Sequence, residues 1–157
     1  MTHNEDLADH TTLRVGGLAD KVVLAQTQDE ILEAVQEADA AGTPLLILGG
    51  GSNVVIADDG WRGTVLLIRT RGFEVAADAC SGAMVTVQAG ESWDDFVAEC
   101  ITREWSGVEA LSGIPGTVGA TPIQNVGAYG QDVSQTIASV RTYDRTLQQI
   151  RTFYFAD

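Results

Sequence analysis

With 157 residues, 45% of them hydrophobic, the chain can build one sizeable domain or two small lobes sharing a core, and it is too apolar to be disordered. Its formal net charge of −13 and its one lysine, Lys21, exclude generic binding to nucleic-acid phosphates or to an anionic membrane surface. Any bound anion must then be held by main-chain N–H groups or by an arginine at one specific spot.

The first dozen residues read as a mobile polar lead-in, neither a secretory signal nor a membrane span. Leu13-Arg14-Val15-Gly16-Gly17 reads as a turn before a strand over 19–25. Thr27-Gln28-Asp29-Glu30 is a capping box, Thr27 the N-cap and Glu30 three residues on. Ile31, Leu32, Val35 and Ala38 share one face of the helix it opens, which Gly42 ends and Pro44 keeps from resuming. Leu45 to Leu48 reads as a short buried strand feeding Gly49-Gly50-Gly51-Ser52-Asn53, and the β-branched Val54-Val55-Ile56 reads as another strand. After a turn at Asp58-Asp59-Gly60, a strand is expected over 64–68.

Strands over 73–77 and 84–89 are expected to pair across a turn at Asp78 to Gly82. Ser92 caps a second helix whose stripe is Trp93, Phe96, Val97, Cys100 and Ile101. Segments 136–143 and 148–155 are expected to pair across Asp144 to Leu147. Strands outnumber helices and several are consecutive, so the fold class is α+β, with a lobe boundary near Arg69 to Gly72 that divides 1–70 from 71–157. Cys80 and Cys100 make no CxxC and no metal pattern, which suits a reducing, cytoplasmic compartment. No apolar run is long enough to cross a bilayer.

Two glycine-rich stretches carry the chemistry. In Gly49 to Asn53, residues without side chains let successive N–H groups turn into one concavity and bind phosphate oxygens, with Ser52 and Asn53 adding donors. No Gly-Lys-Ser/Thr follows, so it is not a P-loop, and the strand expected next argues against a dinucleotide-binding GxGxxG. A tight turn between strands explains the loop equally well. The second stretch, Ser112 to Gly130, combines glycines and two prolines around a buried-looking Ile123-Gln124-Asn125-Val126. It reads as backbone moulded round a ligand, against the alternative of a long ordered surface loop.

Thr11-Thr12-Leu13-Arg14-Val15-Gly16-Gly17, Leu48 to Asn53, Gly113-Ile114-Pro115-Gly116-Thr117-Val118-Gly119 and Pro122 to Gly130 together resemble, in order and spacing, the UDP-N-acetylenolpyruvoylglucosamine reductases of bacterial peptidoglycan synthesis. The resemblance covers nearly the whole chain. It implies a two-lobed FAD-binding fold of the vanillyl-alcohol-oxidase (PCMH) type, with FAD held between the lobes. Gly49, Gly50, Gly51, Ser52 and Asn53 would hold the FAD diphosphate. Pro115, Gly116, Gly119, Ala120, Ile123, Gln124, Asn125 and Gly127 would line the ribityl chain and isoalloxazine ring. Tyr129 would stand near the flavin or substrate mouth, or serve as a packed loop aromatic with a satisfied hydroxyl.

The implied reaction takes hydride from NADPH and delivers it to the enolpyruvyl UDP-sugar, giving UDP-N-acetylmuramate. The family's catalytic arginine, serine and glutamate have no counterpart here, so no catalytic residue is assigned and the chain alone is expected to be inactive. Arg141, Arg145 and Arg151 read as solvated strand and turn charges. A monomer is expected. The competing readings are a non-catalytic flavin-binding module, an FAD oxidoreductase of the same fold with another substrate and, more weakly, a NAD-binding Rossmann domain.

Overall fold

The computed structural model describes residues 4–78 and 82–155, in two compact units, Met1–Thr70 and Arg71–Asp157. Cys80 and most of the turn expected at Asp78 to Gly82 lie outside the described residues.

In the first unit, β1 (Glu5–Asp6) is followed by a 3-10 turn over Leu7–His10, β2 (Leu18–Ala25), α1 (Gln28–Ala41), β3 (Leu45–Leu48) and β4 (Trp61–Ile68). The sheet order is β1-β2-β4-β3. Both β2 and β3 run parallel to β4, and β1 adds antiparallel to β2. The strand after the helix leaves room between itself and β2 for β4, whose Val65, Leu66 and Leu67 are fully buried.

Both halves of the capping box are made: the Thr27 hydroxyl accepts from the Glu30 amide at 3.2 Å, and the Glu30 carboxylate accepts from the Thr27 amide at 3.0 Å. At the other end Gly42 takes φ +63° and its amide bonds back to the last turn. The helix buries Ala34, Val35 and Ala38, while Ile31 and Leu32 are only half-buried.

Three expectations fail in this unit: β3 is a strand but not a buried one, since only Leu48 is buried and Ile47 is 52% exposed at the edge of the sheet. The lead-in is ordered rather than mobile from Asn4 onward: Leu7 is wholly buried in the core with Ala19, Val22, Leu48, Ile56, Val65 and Leu67. Burying one leucine is worth about 1.5–3 kcal/mol, enough to fix a short segment that also pairs with β2. Val54-Val55-Ile56 is irregular extended chain, not a strand. Ile56 is buried in the core and Val54 packs partly against it, but Val55 stays 75% exposed, because this segment has no neighbouring strand to pair with among the described residues.

In the second unit, β5 (Phe73–Asp78) pairs antiparallel with β6 (Gly82–Val87). Ser92 caps α2 (Trp93–Thr102), accepting from the Asp95 amide. Trp93, Val97 and Cys100 are buried, but Ile101 is 52% exposed at the edge of the stripe. The Trp93 indole N–H donates to the Leu111 carbonyl at 3.0 Å, which ties α2 to the loop that follows. Burial pushes the Cys100 thiol up, as expected of a core cysteine. Phe73 meets Phe96 and Trp105 edge-on, and the Arg103 guanidinium lies 5.3 Å and 5.1 Å from the Phe73 and Trp105 ring centres.

Short β7 (Gly127–Ala128) and β8 (Gln131–Asp132) precede the hairpin of β9 (Ser139–Asp144) and β10 (Gln149–Tyr154). Its first strand starts at Ser139, later than expected, because Val133–Gln135 forms a 3-10 turn in which the Val133 carbonyl accepts from the Thr136 and Ile137 amides. Arg151 is not merely solvated: it pairs with Asp144 at 3.2 Å and lies over the Phe153 ring.

Removing the hydroxyl in Thr27→Ala unsatisfies the first turn of α1 and is expected to cost about 1 kcal/mol. Urea or thermal melts check this, a drop of about 2–4 °C being the size expected for a chain of this length.

Candidate functional site

Because β2, β3 and β4 are parallel, their C-terminal ends, Ala25, Leu48 and Ile68, share one edge of the sheet. The Gly49–Asn53 loop leaves β3 at that edge, which is where open parallel sheets bind their ligands. Arg69 leaves β4 there: its amide donates to the Ala25 carbonyl at 2.8 Å. Its guanidinium Nη1 donates to the carbonyls of Gly49 at 2.8 Å and Ile68 at 2.9 Å.

Gly51 is buried at φ +68°, with its carbonyl accepting from the Thr12 amide at 2.9 Å. A Cβ at Gly51 would sit 1.9 Å from the His10 carbonyl oxygen. The N-terminal segment against which it rests is itself fixed, since the buried Thr11 hydroxyl exchanges hydrogen bonds with the Val15 amide and carbonyl. Among the described residues the Gly50 and Gly51 amides have no hydrogen-bond partner. Gly50 is exposed and Gly51 buried, so the loop offers one donor at the surface and one behind it, an arrangement suited to an oxyanion arriving from solvent. No helix follows the glycines, so the dinucleotide fingerprint is excluded on that ground rather than by the strand expected there.

In the second unit the predicted residues divide into framework and surface. Segment 116–119 lies along 89–93: the Trp93 amide donates to the Gly116 carbonyl, the Val118 amide to Glu91 and the Gly119 amide to Ala89. A Cβ at Gly119 would come within 2.6 Å of the Ala89 methyl, so this glycine is required by packing. Ala120 lies inside a 3-10 helix over Val118–Ile123 that is stapled by the Thr121 hydroxyl to the Val118 carbonyl. The Asn125 side chain accepts from the Ser134 amide at 3.1 Å, and Gly127 pairs with Asp132.

Ile123-Gln124-Asn125 is exposed, not buried, and Ile123 reaches 85% exposure; only Val126 enters the core. The 3-10 helix turns Thr121 inward, which leaves Ile123 pointing outward. Tyr129, at φ +53°, is 94% exposed, which overturns its reading as a packed loop aromatic. Two large apolar side chains held at the surface by a rigid loop suit contact with a flat, largely apolar ring.

Sequence reasoning missed Arg69 and Thr12, whose bonds shape the first loop. A cation directly after a strand end beside a glycine loop was the available signal for Arg69. The cavity of about 170 Å³ lined by Asp20, Lys21, Glu37 and Thr64 contains none of the predicted residues. Lys21 is paired there with Glu37 at 2.8 Å.

Gly51→Ala combines a left-handed backbone with a clash against main chain, whereas a Cβ at Gly113 (φ +79°) meets nothing within 4 Å. Gly113→Ala is expected to cost about 1–2 kcal/mol from strain alone, and Gly51→Ala clearly more, as read from urea midpoints. Glu91 accepts from the Gly72 and Ser92 amides and from Arg71, and the Gly72 bond foremost holds its carboxyl below the usual range. A depressed carboxyl stabilises above its unfolded pKa, and that contribution is lost as pH falls through the folded value. Melts against pH should therefore show a shallower acid limb in Glu91→Gln than in the parent.

The chain matches the FAD binding domain family over residues 19–151. It is 55% identical over 147 residues to a UDP-N-acetylenolpyruvoylglucosamine reductase of Cutibacterium acnes, covering 94% of this chain and 39% of that protein. It is 49% identical over 157 residues to the reductase of Thermobifida fusca, covering all of this chain and 44% of the relative. The chain thus spans less than half the length of these curated relatives. Among solved structures, the reductase of Thermus caldophilus superposes with a TM-score of 0.75 at 25% identity, covering 97% of this chain and 52% of that one. A VAO-type flavoprotein of Myceliophthora thermophila shares the fold, with a TM-score of 0.67 at 19% identity over 88% of this chain and 27% of that one. The fold is thus the α+β, PCMH-type flavin-binding fold, and the chain belongs to the FAD-binding domain family.

Proposed function

We propose that this chain is the FAD-binding part of an NADPH-dependent reductase that converts UDP-N-acetylenolpyruvoylglucosamine to UDP-N-acetylmuramate. The substrate assignment is supported by the reductases to which the chain is about half identical. The observation that carries the binding site is the Gly49–Asn53 loop, whose Gly50 and Gly51 amides lack partners among the described residues at the C-terminal edge of a parallel sheet.

In this reading units 1–70 and 71–157 are the two FAD-binding lobes. Gly49, Gly50, Gly51, Ser52 and Asn53 hold the diphosphate through main-chain and short side-chain donors, which cost little reorganisation when the anion arrives. Pro115, Gly116, Gly119, Ala120, Ile123, Gln124, Asn125 and Gly127 form the rigid wall beside the ribityl chain and ring system. The exposed Ile123 and Tyr129 supply apolar surface there. Bound FAD supplies hydride transfer, and the residues of this chain bind and orient it. The protein works as a cytoplasmic monomer, and no helix among the described residues is long and apolar enough to cross a membrane.

Titrating the purified chain with FAD should quench flavin fluorescence saturably and raise the melting temperature. Mixing that complex with NADPH and the enolpyruvyl UDP-sugar should give no sustained NADPH consumption. A chain that leaves flavin fluorescence unchanged at saturating concentration rules out the binding assignment, and steady turnover rules out the assignment as a binding part alone.

A further inference from the structure

We propose that Arg69 is the positioning residue of the anion-binding loop: by capturing the Gly49 carbonyl it aims the Gly50 amide at the bound diphosphate. The inference deepens the reading above and rests on it for the ligand, though not for the loop geometry.

The argument starts from the peptide bond. A trans peptide is planar, so its carbonyl and its N–H point in opposite directions. Fixing the carbonyl of one residue therefore fixes the amide of the next. In this loop two carbonyls are fixed from outside. The Gly49 oxygen is held by Arg69 Nη1 at 2.8 Å, and the Gly51 oxygen by the Thr12 amide at 2.9 Å. The Gly50 amide is thereby turned away from Arg69, and the Ser52 amide away from Thr12.

Glycine makes this necessary. Without side chains, the peptides of 49–51 flip at little steric cost, and a flipped Gly49–Gly50 peptide would present a carbonyl oxygen, which repels an anion. A charged donor on the carbonyl opposes that flip and polarises the peptide, making the Gly50 N–H a better donor. The arginine is itself anchored: its amide bonds to Ala25 and the same Nη1 also reaches Ile68. Both carbonyls are reached by the one nitrogen Nη1, so a lysine ammonium can in large part take over the same task.

The test uses the full chain and the Arg69→Met and Arg69→Lys variants, with Arg71→Met as a charge control. Arg71 pairs with Glu91 and has no part in the loop. Two readouts are taken: the FAD dissociation constant by fluorescence, and the Gly50 amide resonance of the ligand-free, isotope-labelled protein. Arg69→Met is expected to weaken FAD by tenfold or more and to shift the Gly50 resonance before any ligand is added. Arg69→Lys should recover most of the affinity, and Arg71→Met should stay within about twofold of the parent, the loss of a lone exposed pair being worth little.

Unchanged FAD affinity in a folded Arg69→Met overturns the proposal. So does lost affinity with an unmoved Gly50 resonance, which would mean direct contact with phosphate. If Arg69→Met does not fold, Arg69→Lys decides: an unmoved Gly50 resonance there, with tenfold weaker FAD, also overturns it. If the parent chain fails to bind FAD, the flavin assignment falls, while the ligand-free resonance still decides whether Arg69 sets the loop.

Discussion

The hydrogen bond from the Thr12 amide to the Gly51 carbonyl joins the N-terminal segment to the glycine loop, and the local architecture of the first unit converges on it. Leu7 anchors that segment in the core, and the Thr11 hydroxyl closes its turn against Val15. Gly51 can meet the segment only because it has no Cβ, since the His10 carbonyl occupies that space. The cluster is cooperative in the literal sense: a side chain at Gly51 displaces His10, and a displaced His10 frees Thr12. A loop with the anion-binding role proposed above needs such bracing, because its own residues have the least conformational restraint of any.

Charge explains why the amides matter. At a net charge of −13 the protein's field opposes any phosphate, and its one lysine is already paired with Glu37. Main-chain N–H groups provide local positive potential without adding a mobile cation. They are also pre-aimed, so binding does not have to order long side chains. Arg69, a cation beside the loop, donates to carbonyls, so its charge reinforces the backbone.

The second unit follows the same logic through packing. Segment 116–119 is hydrogen-bonded along 89–93, and Gly119 allows main chain to lie on Ala89. Several residues expected to touch a cofactor therefore have a framework task as well: Asn125 holds Ser134, and Gly127 pairs with Asp132. What stays at the surface is Ile123 and Tyr129, held there by a stapled 3-10 helix and a left-handed backbone.

Local signals in the sequence determined the local elements. The Thr27–Glu30 box, the Gly42 stop, the Ser92 cap and the Trp93 to Cys100 stripe all act over a few residues, and each was legible without the fold. The two glycine-rich motifs and the α+β class were legible too, because their spacing is a property of the chain alone. Whether Val54 to Ile56 is a strand was not, since a β-branched run needs a neighbour to pair with and none is placed beside it. Nor was the order of the lead-in, which depends on a core cavity for Leu7 built by residues far along the chain. Which way the loop amides point belongs entirely to tertiary structure. A glycine peptide has no local preference strong enough to choose, and the choice is made by donors on Thr12 and Arg69 that only folding brings within reach.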